Sequence, residues 1–263
     1  MTAMIPPPAG HCKNCGLELV GRFCHRCSQD REEGPPTFGG WMAETFEEFT
    51  SVEGRSIQSV RTLLLRPGAL TVAWRDGQRV RYARPLRLFL FALLLLILTR
   101  TLIGSGPGFL ASATLGFLEG ITGGTDIDNA AVLQLMDSIL RGFALGLAPV
   151  VAGVIALFFR GRAFSEHLVF TLHVLAFAIV VRSLFSIIEV VIAAVWASEA
   201  PDDFFRALAA ALLIYAFVAL RRVYGNSAWM TALKLLVITV ICTVIWLGSA
   251  SLIVIIWLDV AVS

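Results

Sequence analysis

Five long apolar segments constrain this chain more than any other feature. They cover residues 86–103, 139–159, 168–196, 204–220 and 235–258. A helix needs about 20 apolar residues to cross about 30 Å of hydrocarbon. Hydrophobic residues make up 57% of the chain and charged residues 15%, against about 45–50% and about 25% in soluble proteins. We therefore predict an all-α polytopic membrane protein with about five transmembrane helices. The fourth segment is short and contains Arg206, which leaves open a helix that crosses only half of the membrane.

Basic side chains predict how these segments are oriented. Arg160 and Arg162 lie between the second and third segments, while Arg221, Arg222 and Lys234 lie between the fourth and fifth. The alternate loops are acidic. Because Lys and Arg concentrate in cytosolic loops, we predict a cytosolic amino terminus and an external carboxyl terminus. The first residues lack the basic and apolar regions of a signal peptide, so we expect them to stay in the cytosol.

A cluster of arginines precedes the first apolar segment and consists of Arg75, Arg79, Arg81, Arg84 and Arg87. Its first role is to set the orientation of the membrane domain. Basic residues near a membrane surface also attract anionic lipids, at about 1 kcal/mol each. We therefore predict that this cluster can hold lipid headgroups.

Four cysteines near the amino terminus form two CxxC pairs: Cys12, Cys15, Cys24 and Cys27. Two CxxC turns supply four thiolates in the tetrahedral arrangement that Zn²⁺ prefers, and such a closed site has no open catalytic position. We predict one structural zinc per chain in a zinc-ribbon or zinc-knuckle module that needs its metal to fold. Redox chemistry, or ligation by His11 or His25, is the minor alternative. The module has few basic residues, which favours a protein partner over nucleic acid.

The chain divides into five predicted parts. They are a disordered lead (1–10), the knuckle (11–28), a linker (29–37), a juxtamembrane part (38–85) and the membrane domain (86–263). The juxtamembrane part is predicted to be cytosolic, with amphipathic helices followed by the arginine cluster. The glycine-rich loop over 104–138 is interpreted as an interfacial or re-entrant piece.

Two helices are predicted within the juxtamembrane part. The first covers Phe38–Val52, where apolar residues recur at helical spacing. The second is expected to bury Ile57, Val60 and Leu64. Pro67-Gly68 ends it, because proline cannot continue a helix and glycine tolerates the turn.

The third apolar segment carries an unusual set of polar residues. Glu166, His167 and His173 lie at its cytosolic boundary, while Arg182 and Glu189 lie deeper. The first three are suitable ligands for a second metal or proton site, although a polar helix start without such a role is the more ordinary interpretation. A charge near the middle of a bilayer costs at least about 2.5–3.5 kcal/mol, so Arg182 needs a partner, and Glu189 is the nearest candidate.

The order of several motifs resembles that of a bacterial membrane-protein family known as domain of unknown function 3667. The motifs are CKNCG…RFCHRCSQ, TLLLRPG, DGQRVRYARPLRLFLF, AFSEHLVFTLHVLAF and LRRVYG. The resemblance implies an integral protein of the bacterial cytoplasmic (inner) membrane with a zinc-ribbon-like start. It implies no reaction.

Three functions are compatible with this sequence. The leading hypothesis is a non-enzymatic adaptor, scaffold or sensor whose ribbon recruits a cytosolic protein. The first alternative is a small transporter or channel that uses Arg182, Glu189 and His173, and with so few spans it would work as a homo-oligomer. The second is a membrane-embedded metal-dependent enzyme acting at the cytosolic interface through Glu166, His167 and His173. The chain lacks nucleotide-binding and nucleophile motifs, which favours the adaptor.

Overall fold

The computed structural model describes residues 10–31, 54–103, 116–117, 120, 146–196 and 202–262. Two short antiparallel strands, β1 (Gly10–His11) and β2 (Glu18–Leu19), belong to the cysteine-bearing module, here called the ribbon (residues 10–31). The other described elements are α-helices. They are α1 (Gly54–Leu65), α2 (Ala69–Arg75), α3 (Pro85–Ile103), α4 (Gly146–Phe158), α5 (Phe164–Trp196), α6 (Asp202–Tyr224) and α7 (Ala228–Val262).

Four of these helices are long and apolar enough to cross a membrane. The crossing segments are Pro85–Leu102, Phe164–Ile192, Arg206–Tyr224 and Ala228–Ile253. They correspond to the first, third, fourth and fifth predicted segments, and the fourth has the length to cross fully. The second is described only as the shorter apolar helix α4, because residues 139–145 lie outside the described residues. Large apolar side chains remain exposed along all four helices, as expected for surfaces that face lipid.

Helices α5 and α6 run antiparallel in a register fixed by aromatic contacts. The rings of Phe177 and Tyr215 stack with their centroids 3.5 Å apart. Near the other end of the contact, Nδ1 of His167 lies 2.7 Å from the hydroxyl oxygen of Tyr224. The start of α5 therefore lies beside the end of α6. Lys234 donates a hydrogen bond to the carbonyl of Phe158, which brings the start of α7 and the end of α4 to this end as well. We call this end of the bundle, where His167, Tyr224, Lys234 and Phe158 lie, the basic end.

Helices α1 and α2 form a hairpin, Gly54–Arg75, that packs against the bundle near the basic end. The predicted turn is confirmed, since α1 ends at Leu65 and Gly68 has a φ of 74°. The predicted inward face is wrong at Ile57, which is 74% exposed. Ser59 and Leu63 are buried instead. The rotation has a polar cause, because the Ser59 hydroxyl accepts a hydrogen bond from the N–H of Ala83.

Hydrogen bonds from side chains complete the packing of this hairpin. The Tyr215 hydroxyl donates to the carbonyl of Leu63 at 2.9 Å, and Arg222 donates to the carbonyl of Pro67 at 2.7 Å. In return, Arg75 donates to the carbonyl of Val223 at 3.2 Å. Carbonyl groups at helix ends lack partners within the helix, so these contacts satisfy them where the chain turns beside apolar helices.

Several predictions lie outside the described residues. They are the lead over residues 1–9, the end of the linker (32–37), the helix over Phe38–Val52 and most of the loop over 104–138. The described part of the predicted linker differs from the prediction, because Gln29, Asp30 and Arg31 are part of the ribbon. Asp30 pairs with Phe23 in an antiparallel bridge.

Gly68→Ala should destabilise the bundle more than Gly225→Ala. Both glycines have nearly the same positive φ, 74° and 72°, so a side chain costs about 1–2 kcal/mol of backbone strain at either position. At Gly68 alone, a Cβ would also lie 3.0 Å from the carbonyl oxygen of Ala219, whereas at Gly225 it meets nothing within 4 Å. We expect an additional loss of about 1–3 kcal/mol at Gly68.

The measurement is thermal unfolding of both variants in detergent against the wild type. Equal losses of stability would contradict close packing between the hairpin and α6.

Candidate metal centre and its contact with the membrane domain

The ribbon is built from two turns of the same design. In the first, the N–H of Cys12 donates to the carbonyl of Leu17, and the N–H of Gly16 donates to the carbonyl of Cys12. In the second, Cys24 donates to Gln29 and Ser28 donates to Cys24 in the same pattern. Gly16 and Ser28 both have positive φ, 76° and 60°. Each turn thus positions two sulfur atoms, and Ser28 adopts a backbone conformation that usually favours glycine.

The four cysteine sulfurs lie close enough to share one metal ion. All four Sγ atoms lie within 4.8 Å of one another. The Sγ atoms of Cys12 and Cys27 are 3.5 Å apart, as are those of Cys15 and Cys24. A tetrahedral ion with bonds of about 2.3 Å places its sulfur ligands about 3.8 Å apart. The geometry is therefore compatible with a metal ion held by all four thiolates.

Two cysteine thiols of this cluster differ in pKa. Backbone N–H groups of Arg26 and Cys27 donate to the Cys24 sulfur and lower the pKa of this thiol to about 6. The N–H of Leu17 lowers the pKa of Cys15, but burial and the neighbouring thiols outweigh it and raise this pKa to about 11. The Cys24 thiolate therefore forms easily, while the Cys15 thiolate does not. A cation at the centre would favour the thiolate form and displace the remaining protons.

Gln29 attaches the ribbon to the loop between α2 and α3. Its buried side-chain amide donates a hydrogen bond to the carbonyl of Gly77 at 2.7 Å, and its Oε1 accepts one from the N–H of Arg79 at 3.3 Å. These two residues lie in the loop between α2 and α3. Its backbone carbonyl meanwhile accepts the N–H of Cys24. One residue therefore connects the second cysteine turn with the loop.

The Asp76-Gly77 turn is shaped to receive the ribbon. Gly77 has a φ of 83°, and a Cβ at this position would lie 2.8 Å from Cδ of Lys13. Nothing in a single sequence distinguishes Gln29 from the charged residues that follow it, and the prediction therefore placed it in a linker.

The arginine cluster is partly engaged within the protein. Arg75 contacts both Asp76 and the carbonyl of Val223, and the guanidinium of Arg79 lies 4.9 Å from the ring centre of Trp74. Arg81 lies over Tyr82. Binding of lipid headgroups by the five predicted arginines stays a prediction.

The structure gives Glu166, His167 and His173 separate partners. Glu166 pairs with Arg162 at 3.1 Å, and His167 contacts Tyr224. His173 is buried, with Nδ1 2.9 Å from the hydroxyl of Thr71. Within the described ranges, the four cysteines are the one group of three or more His, Cys, Asp or Glu side chains arranged to hold a metal. These contacts fasten α2 and α6 to α5.

Arg182 and Glu189 form an ion pair on α5 despite the seven residues between them. The NH1 group of Arg182 donates to Oε1 of Glu189 at 3.1 Å and to Oγ of Ser186 at 2.8 Å. Ser186 lies one helical turn from Arg182 and accepts a hydrogen bond from it. Both charged side chains are mostly buried. The pair therefore neutralises the two charges within one helix.

Gln29→Ala should loosen the ribbon from the loop without unfolding the ribbon. The change removes two hydrogen bonds to the loop but keeps the backbone carbonyl that accepts from Cys24. We expect faster hydrogen exchange over both residues 24–31 and residues 76–82, with unchanged metal content. Asp30→Asn is the matched control, because Asp30 contacts Arg22 within the ribbon. Exchange that rises equally in both variants would argue against Gln29 as the point of attachment.

A double-mutant cycle can test the ion pair on α5. Replacing Glu189 alone by Leu leaves the Arg182 charge without its carboxylate, which costs about 2.5–3.5 kcal/mol if the site is surrounded by lipid. Replacing both residues by Leu removes both charges, and we expect this variant to be more stable than Glu189→Leu. Thermal unfolding in detergent measures the difference. If the losses of stability in Arg182→Leu and Glu189→Leu add up to the loss in the double variant, the two side chains are not coupled.

Comparison with known proteins gives a match to part of the chain. No curated protein and no solved structure matches the chain. Residues 53–97 match a family described as "Protein of unknown function (DUF3667)". The matched segment comprises α1, α2, the loop that receives Gln29, and most of α3. The match thus confirms the resemblance to DUF3667 that the sequence motifs indicated.

Proposed function

We propose that this protein is an adaptor or sensor of the bacterial cytoplasmic membrane whose zinc-loaded ribbon recruits a cytosolic protein. The ribbon would lie on the cytosolic side, at the basic end of the bundle, as the distribution of arginines favours. The observation that carries the proposal is that the ribbon is attached through Gln29 and also presents large apolar side chains to solvent.

Three exposed residues of the ribbon have the composition of a binding surface. Val20 is 88% exposed and Phe23 is 59% exposed. The guanidinium of Arg22 lies 5.3 Å from the centre of the Phe23 ring. Protein interfaces are enriched in aromatic residues and arginine at their centres. A partner that covers these three residues would bury apolar surface and contact the arginine.

Zinc is the metal that best fits the ligands. Four thiolates in tetrahedral arrangement favour Zn²⁺ over hard cations, which prefer oxygen. With all four positions filled by cysteine, the ion would lack an open site for substrate, so its role would be to stabilise the ribbon. This supports a recruiting module over a catalytic one.

Purified protein should contain one zinc per chain, and the Cys12→Ser, Cys15→Ser variant should lose it. Removing two of four ligands leaves a site that cannot close around the ion. The measurement is elemental analysis in detergent, with Cys242→Ser as the control, because Cys242 lies on α7, outside the ribbon. Zinc retained at full stoichiometry in the double variant would contradict this assignment.

Recruitment can be tested by site-specific photo-cross-linking in cells. A benzophenone amino acid at Phe23 should capture a defined cytosolic protein, and the same probe at Leu17, on the cysteine turn, should not. Capture should be lost in the Cys12→Ser, Cys15→Ser variant and retained in the Arg182→Leu, Glu189→Leu double variant. Capture that persists in the Cys12→Ser, Cys15→Ser variant, or that is absent at Phe23 in zinc-loaded protein, would overturn the adaptor proposal.

A further inference from the structure

The α1–α2 hairpin exposes apolar side chains on the face that points away from the bundle. Ile57 is 74% exposed and Leu65 is 69% exposed, while Ser59 and Leu63 on the opposite face are buried. A helix on the aqueous surface of a protein would bury its large apolar residues against that protein. This hairpin instead buries a serine and leaves an isoleucine outside.

The contacts of the hairpin show how deep along the bundle it lies. Leu63 contacts Tyr215, and Gly68 lies against Ala219. Tyr215 precedes the end of α6 at Tyr224 by about 13 Å along the helix axis. On the other side, Thr71 contacts His173, at a comparable distance from the start of α5. The turn of the hairpin therefore lies beside membrane-crossing segments rather than beyond their ends.

The surface of α6 at the same level is apolar and exposed. Leu213, Ile214 and Val218 are all exposed, and they lie within the crossing segment Arg206–Tyr224. The turn between α1 and α2 thus lies at a depth where the bundle faces lipid. Its backbone is suited to this place, because Tyr215 and Arg222 satisfy the carbonyls of Leu63 and Pro67. Irregular backbone at membrane depth requires such partners.

Two arginines accompany the exposed apolar residues. Arg61 and Arg66 are exposed, and within the described residues neither guanidinium has a hydrogen-bond partner. Ile57, Arg61 and Leu65 follow one another at i, i+4 spacing, so they form one stripe along α1. An arginine can lay its aliphatic part along apolar surface while its charged end reaches the headgroup region.

We propose that the outer face of the hairpin is a binding site for an anionic phospholipid of the leaflet at the basic end. Arg61 and Arg66 would bind the phosphate, and an acyl chain would lie along Ile57 and Leu65. The site is separate from the arginine cluster, of which Arg75 and Arg79 have partners within the protein. It does not depend on the ribbon or on its metal.

Native mass spectrometry of the detergent-solubilised protein can test the phosphate contacts, with phosphatidylglycerol and phosphatidylcholine as probes. We expect preferential binding of phosphatidylglycerol. At about 1 kcal/mol for each basic residue, Arg61→Gln and Arg66→Gln should each weaken binding about fivefold, and the double variant about thirtyfold. The matched control is Arg26→Gln with Arg160→Gln, which removes the same charge from exposed positions off the hairpin.

Equal binding by the double variant and the wild type would overturn the proposal. Equal weakening in the control would overturn it as well, because net charge would then explain the effect. Full displacement by inorganic phosphate would show an anion site that does not select lipid. Thermal unfolding of each variant verifies that the fold is retained.

Cross-linking in proteoliposomes tests the apolar contact in an otherwise unchanged chain. A benzophenone amino acid at Leu65 should form covalent adducts with phosphatidylglycerol, detected by mass spectrometry of the modified peptide. The same probe at Val20 is the control, since Val20 is also apolar and exposed but lies in the ribbon. Lipid adducts that are absent at Leu65, or equally abundant at Val20, would contradict a lipid-facing hairpin.

Discussion

This architecture depends on hydrogen-bond partners for the backbone carbonyl groups at helix ends. The chain turns between α1 and α2 beside apolar helices, and the carbonyl groups there lack partners within a helix. Tyr215 and Arg222 of α6 donate to the carbonyls of the hairpin, and Arg75 of the hairpin donates to α6. This exchange of hydrogen bonds holds the hairpin against the bundle and allows Gly68 to approach the backbone of Ala219.

The hairpin also connects parts of the molecule that are distant in sequence. It contacts α5 through Thr71 and His173, and α6 through Leu63 and Tyr215. The loop that follows α2 receives Gln29 of the ribbon. The family match covers this same segment, which therefore lies where the ribbon, α5 and α6 meet.

The sequence was sufficient for features that depend on local chemistry. Apolar length identified the four helices that are long and apolar enough to cross a membrane, and CxxC spacing identified the four sulfurs that the structure gathers. Pro67-Gly68 marked a turn, because these residue types are suited to such backbone conformations. The partner of Arg182 was also foreseen, since a buried charge requires one nearby.

Features that depend on tertiary contacts could not be predicted. Ile57 matched an inward apolar pattern, but the hydrogen bond between Ser59 and Ala83 rotates α1 away from it. Tyr224 and Thr71 became partners of His167 and His173 only through the packing of α6 and α2 on α5. Gln29 was assigned to a linker, because its role arises from a loop nearly fifty residues later.

The repeated design of the two cysteine turns has a consequence for how the ribbon responds to metal. Each turn supplies two of the four sulfurs, so neither half can complete a coordination shell by itself. A metal ion held by all four sulfurs therefore needs both turns to be brought together. Because Gln29 belongs to the second turn and also bonds to the loop between α2 and α3, the position of that turn depends on two partners, the first turn and the loop.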